Sequence, residues 1–282
     1  MSERLDRVLE TLRLEQVDPD TFTGHNMPMP HGRVFGGQVL AQALLAAAAT
    51  VPHDRVPHSV HGYFLRPGDI TTPITFAIER LRDGRSFTAR RTHALQDGQP
   101  LLSMITSFQL DQDGLEHTST APDVPDPESL PMSLDVLAPL DHPMATFWGR
   151  YGAFDVRHVE QELYLSPDPT RTDLQHVWMR SRGPLPDDPV LHRALLAFAC
   201  DQVMLEPVLR RHGASWASRD LSVASLDHAM WWHRPARADE WLLYVQSSPS
   251  AQGGRGLGSA SVYDRAGALV ATIAQEGMVR LP

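Results

Sequence analysis

The sequence predicts an α+β protein made of two repeats, each a long helix wrapped by an antiparallel β-sheet. Three observations predict it. Two Ala/Leu-rich, helix-forming runs, VLAQALLA at 39–46 and VLHRALLA at 190–197, share a pattern at an offset of 151 residues. Two strand-like segments ending in Arg-Pro, HGYFLRP at 61–67 and AMWWHRP at 229–235, recur at an offset of 168. Each of these is followed by β-prone runs separated by turn signals.

The elements follow in order. Gly36-Gly37 opens the first helix and Asp187-Asp188-Pro189 the second. Pro189 suits a first helical position, where a missing N–H costs nothing. Further strands are expected at 74–81, 86–95 and 101–108, matched by 240–247, 257–263 and 268–275. Asp97-Gly98 and Ala266-Gly267 supply the turns before the last strand of each set. Residues 111–147 are rich in proline and acid and read as a linker between an N-terminal domain, 1–110, and a C-terminal domain, 148–282.

Composition narrows the function. A net charge of −9 carries no footprint for nucleic acid, which needs clustered positive charge. The lone Cys200 allows neither an internal disulfide nor an all-cysteine metal site. The charged amino terminus lacks the apolar core of a signal peptide. The most apolar window, 39–51, is interrupted by Gln42 and falls short of the about 20 residues a membrane span needs, so a cytoplasmic protein without a membrane span is expected. No metal is expected: His-Glu-x-x-His is absent, and His58 and His61 stand three apart in a strand-like segment, on opposite faces. No other cofactor is expected. A serine hydrolase of the Gly-x-Ser-x-Gly type is excluded, because Gly213-Ala214-Ser215-Trp216-Ala217 lacks the last glycine and follows a helix.

One residue breaks the pattern of the second helix. At 3.6 residues per turn, Asp201 shares the apolar stripe of Ala194, Ala197, Phe198, Leu205 and Val208. Its counterpart in the first repeat is the neutral Thr50. Two readings fit: a carboxylate that caps a backbone group, or an acid whose environment tunes it for chemistry. Ser225 and Gln275 differ from their siblings in the same way, aligning with Pro57 and Ser107. A lone serine and a strand-end glutamine are ordinarily structural. Cys200 points elsewhere on the helix and reads as a small core residue.

Together the segments resemble the acyl-CoA thioesterase II family, whose members are double-hotdog enzymes. The resemblance runs from Val34-Phe35-Gly36-Gly37-Gln38 through 58–69 (HSVHGYFLRPGD), 81–87 (LRDGRSF) and 89–91 (ARR). It continues at 226–235 (LDHAMWWHRP), 240–244 (EWLLY) and Gln275-Glu276-Gly277, covering nearly the whole chain apart from the linker. It implies a catalytic set of Asp201, Ser225 and Gln275, with serine where the family often has threonine. The same three residues interrupt the internal repeat. The implied reaction is hydrolysis of fatty acyl-CoA to free acid and CoA, with Asp201 as general base on a water held by Ser225 and Gln275. Gly36 and Gly37 are candidate substrate-binding residues, since a helix amino terminus offers N–H donors to an oxyanion. His228 and His233 belong to the motif and read as structural or pocket-lining. The expected partners are the acyl-CoA substrate and further copies of the chain, in a homodimer or homotetramer.

Two rivals stay open. A hotdog enoyl-CoA hydratase or dehydratase would pair an acid with histidine rather than with serine and glutamine. A non-catalytic acyl-CoA binding module needs no such polar set.

Overall fold

A computed structural model describes residues 2–281. The N-terminal repeat begins with helix α1 (Glu3–Leu12), capped by Ser2, and strands β1 (Leu14–Asp18) and β2 (Thr21–Gly24). Helix α2 (Gly36–Ala48) follows, then β3 (Arg55–Phe64), β4 (Ile74–Asp83), β5 (Phe87–Gln96) and β6 (Gln99–Leu110). The C-terminal repeat has the same plan. Helix α3 (Pro143–Tyr151) and strands β7 (Phe154–His158) and β8 (Leu174–Ser181) lead into α4 (Pro189–Cys200). A short α5 (Glu206–Arg211) comes next, then β9 (Ser222–Ser225), β10 (Asp227–Trp232), β11 (Leu242–Gln252), β12 (Arg255–Tyr263) and β13 (Leu269–Arg280). The expected strands are present. The helix and strand pair that open each repeat lie ahead of the two periodic runs and were not expected.

All thirteen strands join one sheet, in the order β1-β2-β4-β5-β6-β3-β10-β13-β12-β11-β8-β7 with β9 beside β13. The repeats meet where β3 pairs antiparallel with β10, Tyr63 opposite Asp227 and Ser59 opposite Trp231. Helices α2 and α4 pack against each other and against the sheet. Both are apolar nearly all round, as befits helices enclosed by protein. Gln38 and Gln42 do not interrupt that burial. Their side chains satisfy backbone groups of Thr11, His25 and Met27. Among the described residues, no helix is long and apolar enough to cross a membrane.

The acidic, proline-rich stretch 111–142 is strapped across the outer face of the C-terminal half. Trp178 donates to Pro125 O, Trp241 to Glu128, and Arg265 pairs with Asp126 and Glu128. Helix α3 opens at Pro143, inside the stretch expected as linker.

Two sequence expectations are corrected, one by where the helix ends and one by the strand register. Helix α4 does not run through Asp201: it ends at Cys200, Asp201 is its C-cap, and Leu205 caps the separate α5. Every residue from His192 to Cys200 is buried, so the supposed stripe does not by itself mark out a core face. Thr106, not Ser107, is the sibling of Gln275. Thr106 pairs with Val60, and Gln275 falls opposite His228, which stands 168 residues after Val60. Ser225 and Pro57 do correspond, facing Gly277 and Phe108.

The break after α4 depends on Gly258. A Cβ there would lie 2.0 Å from Met204 O, so only glycine lets the 201–205 turn rest on the sheet. Gly258→Ala should cost about 1–3 kcal/mol in urea unfolding, as overpacking against backbone does. Gly114→Ala, with open space around it, should leave the midpoint unchanged.

Candidate active site

The C-cap of α4, the end of β9 and the middle of β13 converge on one point. Asp201 Oδ1 accepts from Ser225 Oγ at 3.0 Å and from Gln275 Nε2 at 2.8 Å. Gln275 Nε2 also donates to Ser225 Oγ at 2.8 Å. Asp201 Oδ2 accepts the backbone N–H of Gly37 at 2.8 Å, from the amino terminus of α2. The acid is thus supplied by one repeat and part of its hydrogen bonding by the other. Asp201 caps a backbone group, as the first of its two sequence readings has it, at the amino terminus of α2, and it sits in a polar cluster.

The two glycines permit this approach. A Cβ on Gly36 would meet Asp201 Oδ2 at 2.7 Å, and one on Gly37 would meet Phe198 O at 2.4 Å. Only Gly36 of the pair borders the cavity; the N–H of Gly37 is spent on the carboxylate.

His228 is the residue that sequence reasoning left without a role here. It is fully buried, and its Nδ1 lies 2.8 Å from Gln275 Oε1. An amide oxygen only accepts, so Nδ1 carries the ring proton. The bond fixes which end of the amide faces Asp201. Burial holds the His228 pKa below its usual value, against the pull of Gln275 and the Asp201 and Asp227 carboxylates. Nε2 is then a bare acceptor, 3.7 Å from Cys200 Sγ. Burial, with Asp201 adding to it, pushes the Cys200 thiol well up, so it stays protonated and is no nucleophile. The other three histidines weighed in the sequence are in separate contacts: His58 with Ser107, His61 against Trp231 and His233 with Thr272.

Ser225 and Gly36 face a cavity of about 350 Å³ walled by Val34, Phe35, Val39, Phe64 and Leu101. His31, Arg33 and Arg66 stand exposed at its rim. A wider surface depression of about 720 Å³, lined in part by Val17, Thr50 and Arg80, holds none of the clustered groups. Among the described residues, no group of three His, Cys, Asp or Glu side chains could hold a metal ion.

Comparison with known proteins matches this architecture from end to end. Residues 158–278 match the acyl-CoA thioesterase family, and residues 25–109 match the acyl-CoA thioesterase N-terminal domain. Acyl-CoA thioesterase 2 of Haemophilus influenzae is 36% identical over 287 residues, covering 99% of each chain. The chain belongs to the acyl-CoA thioesterase II family. A crystal structure of an acyl-CoA thioesterase II from Mycobacterium marinum superposes with a TM-score of 0.81 at 43% identity, covering 98% of each chain. A hot dog protein from Alicyclobacillus acidocaldarius shares the fold, with a TM-score of 0.79 at 21% identity and 98% coverage of each chain. The joined sheet around α2 and α4 is accordingly two hotdog repeats in one chain.

In this thioesterase the neutral His228 gives a pH dependence with a definite sign. Its folded pKa lies below the unfolded value of about 6.5, so the unfolded chain takes up the proton first as pH falls. Its contribution is fully present above pH 6.5 and is lost as pH drops toward the folded pKa. Thermal melts should fall across that window, and His228→Gln should flatten part of the slope. An unchanged slope would remove His228 from the account.

Proposed function

We propose that the chain hydrolyses the thioester of fatty acyl-CoA, with Asp201 as general base on a water molecule. The observation that carries this reading is the carboxylate–hydroxyl–amide cluster beside an apolar cavity with a basic rim. The apolar walls suit an acyl chain, and the exposed Arg33 and Arg66 suit the phosphates of CoA.

The hydrogen bonds support a division of roles. Both amide hydrogens of Gln275 are engaged, one on Asp201 and one on Ser225. Gln275 therefore orients the other two groups and has no donor left for water. Ser225 donates to Asp201 and keeps one acceptor site, while Asp201 Oδ2 keeps a lone pair beside the one bound by Gly37. A water donating to Oδ2 and to Ser225 Oγ would point its oxygen at a thioester carbonyl in the cavity. Asp201 takes the water proton as the C–O bond forms, and returns it to the thiolate as the C–S bond breaks. Gly36, in the first turn of α2, is the candidate donor to the oxyanion, aided by the positive end of the helix. The repeat units in this reading are 1–110 and 148–282, joined by 111–147, and the second supplies all three catalytic side chains. Tyr63, 64% exposed, and Ile105, 40% exposed, stand on the uncovered outer face of the N-terminal half and support self-association into a homodimer or homotetramer.

Release of CoA from short, medium and long acyl-CoAs tests the reading. Asp201→Asn should lower kcat by roughly 10²-fold or more with folding intact. Arg33→Ala and Arg66→Ala should each raise KM roughly 5-fold, as loss of a charge-assisted phosphate contact does, with kcat little changed. Equal release by wild type and Asp201→Asn would assign the base elsewhere. No release at any chain length would contradict hydrolysis and favour enoyl-CoA hydration or binding alone.

A further inference from the structure

Strands β9 and β10 both pair with β13, and the residue count between them does not match. Ser225 lies opposite Gly277 and Ala229 opposite Ala274, so one residue on the β9–β10 side has no partner. That residue is Leu226, which leaves Asp227 opposite Glu276 and His228 opposite Gln275. The feature is a β-bulge.

The bulge decides which way Ser225 points. Side chains alternate along a strand, and residues directly opposite one another share a face. Gln275 is fully buried on the inner face, while Glu276 turns outward and pairs with Arg255. Gly277 is on the inner face with Gln275, and so is Ser225 opposite it. Without the extra residue Leu226 would meet Gly277, and Ser225 would turn to the outer face, away from Gln275 and Asp201.

The first repeat makes the same bulge by other means. Pro57 faces Phe108 and Ser59 faces Ser107, with His58 as the extra residue. Proline has no N–H to give a ladder and is at home in a bulge. Ser225 stands in the place of Pro57, so the second repeat has a hydroxyl where the first has its bulge-forming proline. Asp227, which stands in the place of Ser59, supplies a different closure. Its Oδ1 accepts the N–H of Glu276 at 2.8 Å, an amide between Gln275 and Gly277. Leu226 is held separately. Its N–H donates to Glu276 O and its carbonyl accepts from the N–H of Phe64, both at 2.9 Å. Those two bonds tie the chain to β13 and β3, and they do not depend on the Asp227 side chain.

We infer that Asp227 is a positioning residue for hydrolysis: by closing the bulge on the Glu276 N–H, it keeps Ser225 on the face of Gln275 and Asp201. It acts through Ser225 and touches no reacting atom. The inference rests on the hydrolytic reading of that cluster.

CoA release by Asp227 variants, in the wild-type and Ser225→Ala backgrounds, tests it. Asp227→Ala should lower kcat at least roughly 10-fold with KM within about 2-fold, as loss of a bond that leaves an amide unpaired does. Asp227→Asn keeps an Oδ1 acceptor and should stay within about 3-fold of wild type. In Ser225→Ala there is no hydroxyl to place, so adding Asp227→Ala should lower kcat by less than about 2-fold more. Should Asp227→Ala not fold, Asp227→Ser, which installs the residue of the first repeat, should show the same pattern. Wild-type turnover in Asp227→Ala would overturn the inference. So would a loss in Asp227→Asn as large as that in alanine, or an equal loss in both backgrounds, with the hydrolytic reading left standing. Wild-type protein that releases no CoA would overturn that reading and this inference with it.

Discussion

The contact between Asp201 and the N–H of Gly37 organises the site. A carboxylate at the carboxyl end of one helix would face the negative end of its own dipole. Here it is turned onto the positive amino end of the neighbouring helix, where an anion is favoured. The contact requires Gly36 and Gly37, because any side chain there would strike Asp201 or Phe198. It also requires both repeats, since neither supplies both partners. The pairing of β3 with β10 keeps the two helices in register, and so the large joined sheet serves one polar cluster.

The same constraint explains why the repeats diverged. In the first, Arg90 reaches from β5 to the end of α2 and holds Thr50 through its hydroxyl and its carbonyl. The register gives Gly258 as the sibling of Arg90: Arg90 lies opposite Thr106, and Gly258 opposite Gln275. Exchanging a capping arginine for glycine frees the helix end. The chain can then break after Cys200, settle Met204 on the sheet and leave Asp201 to bond outward. Farther along, Glu206 is fully buried, where burial works to raise its pKa, but His158, Trp216 and Gln175 outweigh it and hold it low. That network anchors α5 to β7 and β8.

Much of this was legible in the sequence, and the reasons differ by residue. The period in the apolar runs and the Arg-Pro segments marked two equivalent halves, and three departures from equivalence marked Asp201, Ser225 and Gln275. Periodicity could not show the break at Asp201, because Gly258, which permits it, is 57 residues away. It could not separate Thr106 from Ser107, since a one-residue shift at a hairpin is invisible without the pairing. His228 was part of a noted motif, yet its link to Gln275 is a cross-strand contact that no spacing encodes. The strap at 111–142 has a linker's composition, and only its packing on Trp178 and Trp241 shows that it is held.

The central claim is that water attacks the thioester directly, with Asp201 removing its proton. A single turnover in H₂¹⁸O, with enzyme in excess over acyl-CoA and intact-mass analysis of the quenched protein, tests it most directly. The account predicts one ¹⁸O in the carboxylate of the first-turnover acid and no acylated protein at any time. An acyl adduct on Ser225 would contradict it, as would unlabelled acid with ¹⁸O left in Asp201.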